Sequence, residues 1–176
     1  MKKILKKIVI TVVSLIALLT IVNWFTDREI KTEIVINAST EEIWDVLLNH
    51  KEYPEWNPFI KKISGSVVQG ENLAVTIQTE NNKPMDFTPI VLMNKENEEF
   101  RWKGKLIVNG VFDGEHYFTV EKIETNRVKF IQGENFSGIL SGLFMLMIRE
   151  DTEGGFKSMN MALKNRVESN QNRKEK

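Results

Sequence analysis

Phe112-Asp-Gly-Glu-His116-Tyr-Phe118-Thr-Val120-Glu-Lys-Ile-Glu124-Thr-Asn126-Arg-Val128-Lys-Phe130-Ile-Gln132-Gly-Glu134-Asn-Phe136 reads as two alternating runs joined at Glu124-Thr125-Asn126. Successive side chains of a strand point to opposite faces. Phe112, Gly114, His116, Phe118 and Val120 therefore share one face, and Val128, Phe130, Gln132, Glu134 and Phe136 share one face of the second run. A connection this short joins antiparallel neighbours, because a parallel crossover needs about a dozen residues or more. His116, Gln132 and Glu134 are thus expected to point towards a cavity, among aromatic neighbours.

The same pattern extends upstream. Strands are expected at Ile63–Val68, Leu73–Thr79, Asp86–Met93 and Glu99–Ile107, with turn residues at Gln69-Gly70-Glu71, Asn81-Asn82-Lys83-Pro84, Asn94–Asn97 and Asn109-Gly110. Short breaks of this kind predict one sheet made almost entirely of hairpins. In the strand over Phe100–Leu106, Phe100, Trp102, Gly104 and Leu106 face inward and Arg101, Lys103 and Lys105 face solvent.

Before the sheet, Ile30–Asn37 alternates as a strand. Ser39 followed by Glu42 then forms a capping-box signature ahead of the apolar stripe Ile43, Trp44, Leu47 and Leu48. Asn49-His50-Lys51 with Pro54 and Pro58 ends that helix in a bent segment. After the sheet, Ser137–Glu168 returns to helical spacing. One stripe is Leu140, Phe144, Met147 and Ile148, and another is Met159, Leu163 and Val167. Gly154-Gly155 lies between them, and a glycine pair in a helix costs about 1 kcal/mol per residue relative to alanine, so a break or kink is expected there. An antiparallel sheet with one apolar face needs a cover, and this segment is long enough to supply it.

The N-terminus is of another kind. Lys2, Lys3, Lys6 and Lys7 form a basic flank over 1–7, followed by an apolar run over 8–25. As a helix, that run is about 27 Å long, close to the hydrocarbon thickness of a bilayer. No convincing small-x-small cleavage site follows it, and Trp24 and Phe25 stand where interfacial aromatics lie. An uncleaved transmembrane signal-anchor helix is the leading expectation, with a cleaved signal and a buried helix as the alternatives. The lysine-rich flank stays cytoplasmic, which puts the domain on the extracytoplasmic side of a single-pass membrane protein.

The chain has 24 basic and 24 acidic residues, so the part beyond the four N-terminal lysines carries a net −4. That balance, with no basic stripe interleaved with aromatics, argues against a nucleic-acid partner. There is no cysteine, so an exported domain is stabilised by its core alone. Residues 30–168 make one domain, and 169–176 form a polar tail.

The segments Glu33-Ile-Val-Ile-Asn-Ala-Ser-Thr-Glu-Glu-Ile-Trp44 and Tyr53-Pro-Glu-Trp56-Asn-Pro-Phe59-Ile resemble the opening of the polyketide cyclase/START/Bet v1-like (SRPBCC) superfamily. Trp102-Lys-Gly104, Phe112-Asp-Gly-Glu-His116-Tyr-Phe118, Gln132-Gly-Glu-Asn-Phe136-Ser-Gly138 and Gly155-Phe156-Lys-Ser-Met159-Asn160-Met-Ala-Leu163-Lys add to the likeness, which looks like that of small bacterial members. The resemblance implies an α+β helix-grip fold: a strongly curved antiparallel sheet around a long C-terminal helix, with an apolar cavity between them. It also implies a ligand that is a lipid, sterol, polyketide or other apolar molecule, and some members catalyse cyclisation or dehydration.

The expected ligand-binding residues are Trp56, Trp102, His116, Phe118, Gln132, Glu134, Phe136, Met147 and Met159. A few polar groups converging on an apolar pocket recognise the polar end of a ligand. His116 and Glu134 also admit two other readings. They satisfy each other across adjacent strands, or they act as an acid/base pair in a cyclase or dehydratase. A third class is a non-enzymatic protein-interaction module using the outer sheet face or the Trp56 segment. Two histidines and no cysteine give no metal-ligand spacing, and no cofactor is expected. The leading expectation is a membrane-anchored binding protein for a lipid, isoprenoid or polyketide-like molecule, with the bilayer and that ligand as partners.

Overall fold

The computed structural model describes residues 1–79, 82–106 and 108–174, with side chains as far as residue 171. Helix α1 (Lys2–Phe25) is followed by strand β1 (Glu29–Ile36), helix α2 (Thr40–Leu48), a 3-10 turn (His50–Glu52) and the short helix α3 (Tyr53–Trp56). Strands β2 (Ile60–Gly65), β3 (Leu73–Ile77), β4 (Met85–Phe87), β5 (Ile90–Lys95), β6 (Glu99–Leu106), β7 (Phe112–Glu124) and β8 (Arg127–Ser137) precede helix α4 (Ser141–Lys174). This is the α+β order of a helix grip: antiparallel strands, then one long C-terminal helix. The expected strand over Glu99–Ile107 is observed to Leu106, Ile107 lying outside the described residues. The expected tail over 169–176 continues α4 to Lys174, and residues 175–176 lie outside the described ones.

Local chemistry sets the boundaries. Ser39 accepts from the Glu42 amide at 3.2 Å while Glu42 accepts from the Ser39 amide at 3.1 Å, so the expected capping box opens α2. Such a cap is worth about 1 kcal/mol. Ile43, Trp44 and Leu47 are buried beneath it.

The strands form two sheets rather than the single one expected: a five-stranded sheet in the order β1-β8-β7-β6-β5 and a three-stranded sheet in the order β2-β3-β4. The expected strand over Asp86–Met93 is split between them, with the break at Thr88-Pro89. Proline has no amide hydrogen to give to a ladder. The Pro89 carbonyl accepts from the Leu73 amide at 2.8 Å, and Val91 exchanges bonds with Gly70 and Glu71 at 2.9 Å. The chain thus passes from one sheet to the other at that proline.

Alternation assigns the faces as expected. On the inner face lie Phe100, Trp102, His116, Phe118, Val120, Phe130, Gln132 and Phe136, all buried. The outer face holds a charged network. Arg101 bonds Glu99 and Glu115 and lies 4.9 Å from the Tyr117 ring centre, and the Tyr117 hydroxyl donates to Glu29 at 2.8 Å. Burial and the neighbouring Glu29 carboxylate push the Tyr117 phenol well above its usual range.

α4 covers the inner face with Phe156, Met159, Leu163 and Val167, each essentially without exposure. Three bonds align it along β1: Asn160 to Thr32 at 2.9 Å, Lys164 to the Val35 carbonyl at 2.8 Å, and the Asn37 amide to Glu168 at 3.0 Å.

No break occurs at Gly154-Gly155, since α4 is continuous through both residues. A Cβ on Gly155 would overlap the ring of Phe59. That ring is in turn edge-on to Phe156 at 5.4 Å. Glycine here admits a close neighbour, and the packing gained offsets its low helix propensity.

Candidate functional site

β6, β7 and β8 bring the expected polar residues side by side. His116 lies opposite Glu134 on β8 and opposite Trp102 on β6. Its Nδ1 is 3.4 Å from Glu134 Oε2, and its Nε2 is 3.3 Å from Gln132 Nε2. An amide nitrogen only donates, so with Gln132 in this orientation Nε2 is the acceptor and Nδ1 faces the Glu134 carboxylate. Both ring nitrogens therefore have protein partners.

Aromatic packing fixes the imidazole. Trp102 stacks on it at 4.7 Å with planes 9° apart, while Phe118 and Phe156 meet it edge-on at 4.8 and 5.1 Å. His116 is 4% exposed and Gln132 0%, but the Glu134 side chain keeps 20% exposure and forms the outer end of the row. Gly114 makes room for it, because a Cβ there would collide with the Glu134 carboxylate.

A second polar pair completes the interior. Thr32 on β1 lies opposite Gln132 and donates to its carbonyl at 3.4 Å, while Asn160 on α4 donates to the Thr32 hydroxyl. Two side-chain oxygens in this layer, Gln132 Oε1 and Asn160 Oδ1, are buried without a donor. Burying an acceptor without a donor costs about 1–3 kcal/mol. Sequence reading identified Gln132 but assigned no role to Thr32 or Asn160. The signal for Thr32 was its place among Ile30, Ile34 and Ile36 on one face of β1.

The remaining expected residues divide. Trp102, His116, Phe118, Gln132, Glu134 and Met159 form one cluster, with Gln132 Nε2 3.5 Å from Met159 Sδ. Phe136 is buried further along β8, stacked on Phe112 at 5.2 Å. Trp56 packs edge-on against Tyr53 at 5.0 Å, and its buried indole nitrogen has no acceptor. Met147 does not belong to this layer. It is 73% exposed, because the inward face of α4 there runs through Ser141 and Met145, with Phe144 against Phe112 and Ile148 against the core, and Met147 falls outside it. Among the described residues no group of three or more histidine and acidic side chains is placed to hold a metal.

Several solved structures share this fold. An aromatase/cyclase (Zhui) from Streptomyces sp. R1128 aligns over 80% of this chain and 93% of its own, with a TM-score of 0.64 and 12% identity. A START superfamily protein from Mycobacterium smegmatis aligns over 81% and 99%, with a TM-score of 0.63 and 16% identity. Norcoclaurine synthase from Thalictrum flavum aligns over 81% and 95%, with a TM-score of 0.62 and 15% identity. At these identities the likeness is one of fold. Comparison with curated proteins gives no match. Residues 27–168 match the family model described as polyketide cyclase / dehydrase and lipid transport, and with the sheet, the covering helix and the polar row between them the chain belongs to that family, within the SRPBCC/START superfamily.

Proposed function

We infer that this protein is a membrane-anchored binder of an apolar or amphipathic small molecule, of lipid, isoprenoid or polyketide-like character. The ligand lies between the sheet and α4, with its polar end against Gln132, His116 and Glu134. The observation that carries this reading is the pair of donor-less oxygens, Gln132 Oε1 and Asn160 Oδ1, in a small polar row surrounded by aromatic and aliphatic side chains. A ligand hydroxyl satisfies such an oxygen, and an apolar body matches the rings around it. Binding requires Phe156 and Met159 of α4 to give way, since both are packed into the layer.

α1 is the anchor in this reading. Among the described residues it is the one helix long and apolar enough to cross a membrane, and none of its residues is buried. The lysine-rich flank lies on the cytoplasmic side, and the domain on the other.

The acid/base reading of His116 and Glu134 is the weaker one. Each imidazole nitrogen faces a protein side chain, so proton transfer at the ring would require Gln132 or Glu134 to give way. The test compares the full chain in detergent micelles with its Gln132→Leu variant. Native mass spectrometry follows uptake of an isoprenoid alcohol such as farnesol. Uptake by the wild type, lost in the variant at an unchanged unfolding temperature, is expected. Equal uptake by both, or none by the wild type, overturns the assignment.

A further inference from the structure

The end of α1 is bound to the start of α4. Asn23 Oδ1 accepts from the Gly142 amide at 2.6 Å and from the Ser141 hydroxyl at 3.3 Å, and Asn23 Nδ2 donates to the carbonyls of Ile139 at 3.1 Å and Gly138 at 3.3 Å. The first amides of a helix have no intrahelical acceptor. Asn23 supplies one from another helix, across more than a hundred residues of sequence. A Cβ on Gly142 would lie 2.7 Å from Asn23 Oδ1, so glycine is what lets the two helices approach. Two turns further along α4, Arg149 binds the Asp27 carboxylate at 3.2 Å and also its carbonyl. The β6–β7 turn joins the same junction, with the Ile139 amide on the Gly110 carbonyl at 2.9 Å and the Leu140 amide on that of Val111 at 3.0 Å.

Exposed apolar side chains gather at this junction. Ile139, Leu143, Leu146 and Met147 form one outward stripe of helical spacing, with Val108 beside it in the turn and Trp24 and Phe25 on α1. No charged residue occurs between Glu134 and Arg149. Asn23 is two residues from the end of the apolar run, about 3 Å along the helix axis. A bilayer spanned by α1 therefore has its hydrocarbon–headgroup border at the level of Asn23's partners.

We propose that the start of α4, through Ile139, Leu143, Leu146 and Met147 with Val108, is a bilayer-contact surface that inserts into the outer border of the leaflet α1 leaves. The occupant is lipid because the stripe is continuous with α1. The clasp holds it at the depth where an apolar surface is most stable out of water and the Arg149–Asp27 pair remains in it. The domain is then seated in a single orientation, with α4 rising from the lipid. This rests on α1 being the anchor.

The chain has no cysteine, so single probes report unambiguously. Leu146→Cys, Val9→Cys in α1 and Ser66→Cys in the distant β2–β3 turn are each labelled with a polarity-sensitive fluorophore. The full chain is reconstituted in phosphatidylethanolamine/phosphatidylglycerol vesicles with and without brominated acyl chains. All three positions are exposed, so the label disturbs no core. Severalfold quenching at positions 9 and 146, with none at 66, is expected. Quenching at 9 but not at 146 overturns the contact surface and leaves the anchor standing. If a 146-to-146 crosslink accompanies that result, a second copy covers the stripe instead. No quenching at 9 removes the anchor, and the inference with it.

Discussion

The two halves of α4 carry similar residues and treat them oppositely. In the second half Phe156, Met159, Leu163 and Val167 have essentially no exposure and Met161 is the outward one, whereas in the first Leu143, Leu146 and Met147 stand out in solvent by 45–73%. Hydrophobicity states that a side chain leaves water, and the neighbouring elements decide towards what. The second half meets β1 and the inner sheet face. The first turns Met145 into the core and sets Phe144 against Phe112 of β7, and beyond these it meets the end of α1 and the β6–β7 turn.

Substitutions test this division. Phe156→Ala removes a ring that touches both His116 and Phe59, and should cost about 3–5 kcal/mol in chemical denaturation, as for buried aromatics generally. A cost below about 1 kcal/mol would mean that the second half is no better packed than the first.

pH reports on the 3-10 turn against which that half is braced by Arg166 and Glu52. Burial pushes the His50 imidazole down from 6.5 to about 4. Between these values the unfolded chain binds a proton that the fold refuses. Stability is therefore full above pH 6.5 and declines as pH falls towards 4, by up to about 3 kcal/mol. His50→Gln should flatten that slope in melts recorded across this range.

Gly155→Ala places a methyl group on the Phe59 ring and should destabilise by about 1–3 kcal/mol, although alanine is the better helix former. A gain in melting temperature would show that the ring is free to move aside. Leu146→Ser should shift stability in micelles by no more than about 0.5 kcal/mol, the usual range for an exposed position.

Where period alone decides structure, the sequence was transparent. Alternation in β7 and β8 put His116 and Gln132 on the inner face with Phe118 and Phe130, and Ser39 with Glu42 marked the start of α2. Features that depend on distant partners were not legible. Gly154-Gly155 read as a break because Phe59, which fills the space at Gly155, lies almost a hundred residues away. Asp86–Met93 read as one strand because two sheets exchange a chain at Pro89. Met147 read as an inner residue because the inward face of a helix is fixed by its neighbours, and Ser141 and Met145 took that place. Asn23 interrupted an apolar run for no visible reason until the start of α4 was beside it.

The pairing of β1 with β8 has a consequence for how the chain is made. Thr32 lies opposite Gln132, a hundred residues later. On a ribosome, β1 is among the first strands to emerge and must wait for almost the entire chain before its partner exists. Contacts this remote raise the entropic barrier to folding, so the five-stranded sheet closes late. Until then β1 is an unsatisfied edge carrying Ile30, Ile34 and Ile36, open to pairing with the wrong strand. Its charged flank of Glu29, Lys31 and Glu33 is the local protection during that wait.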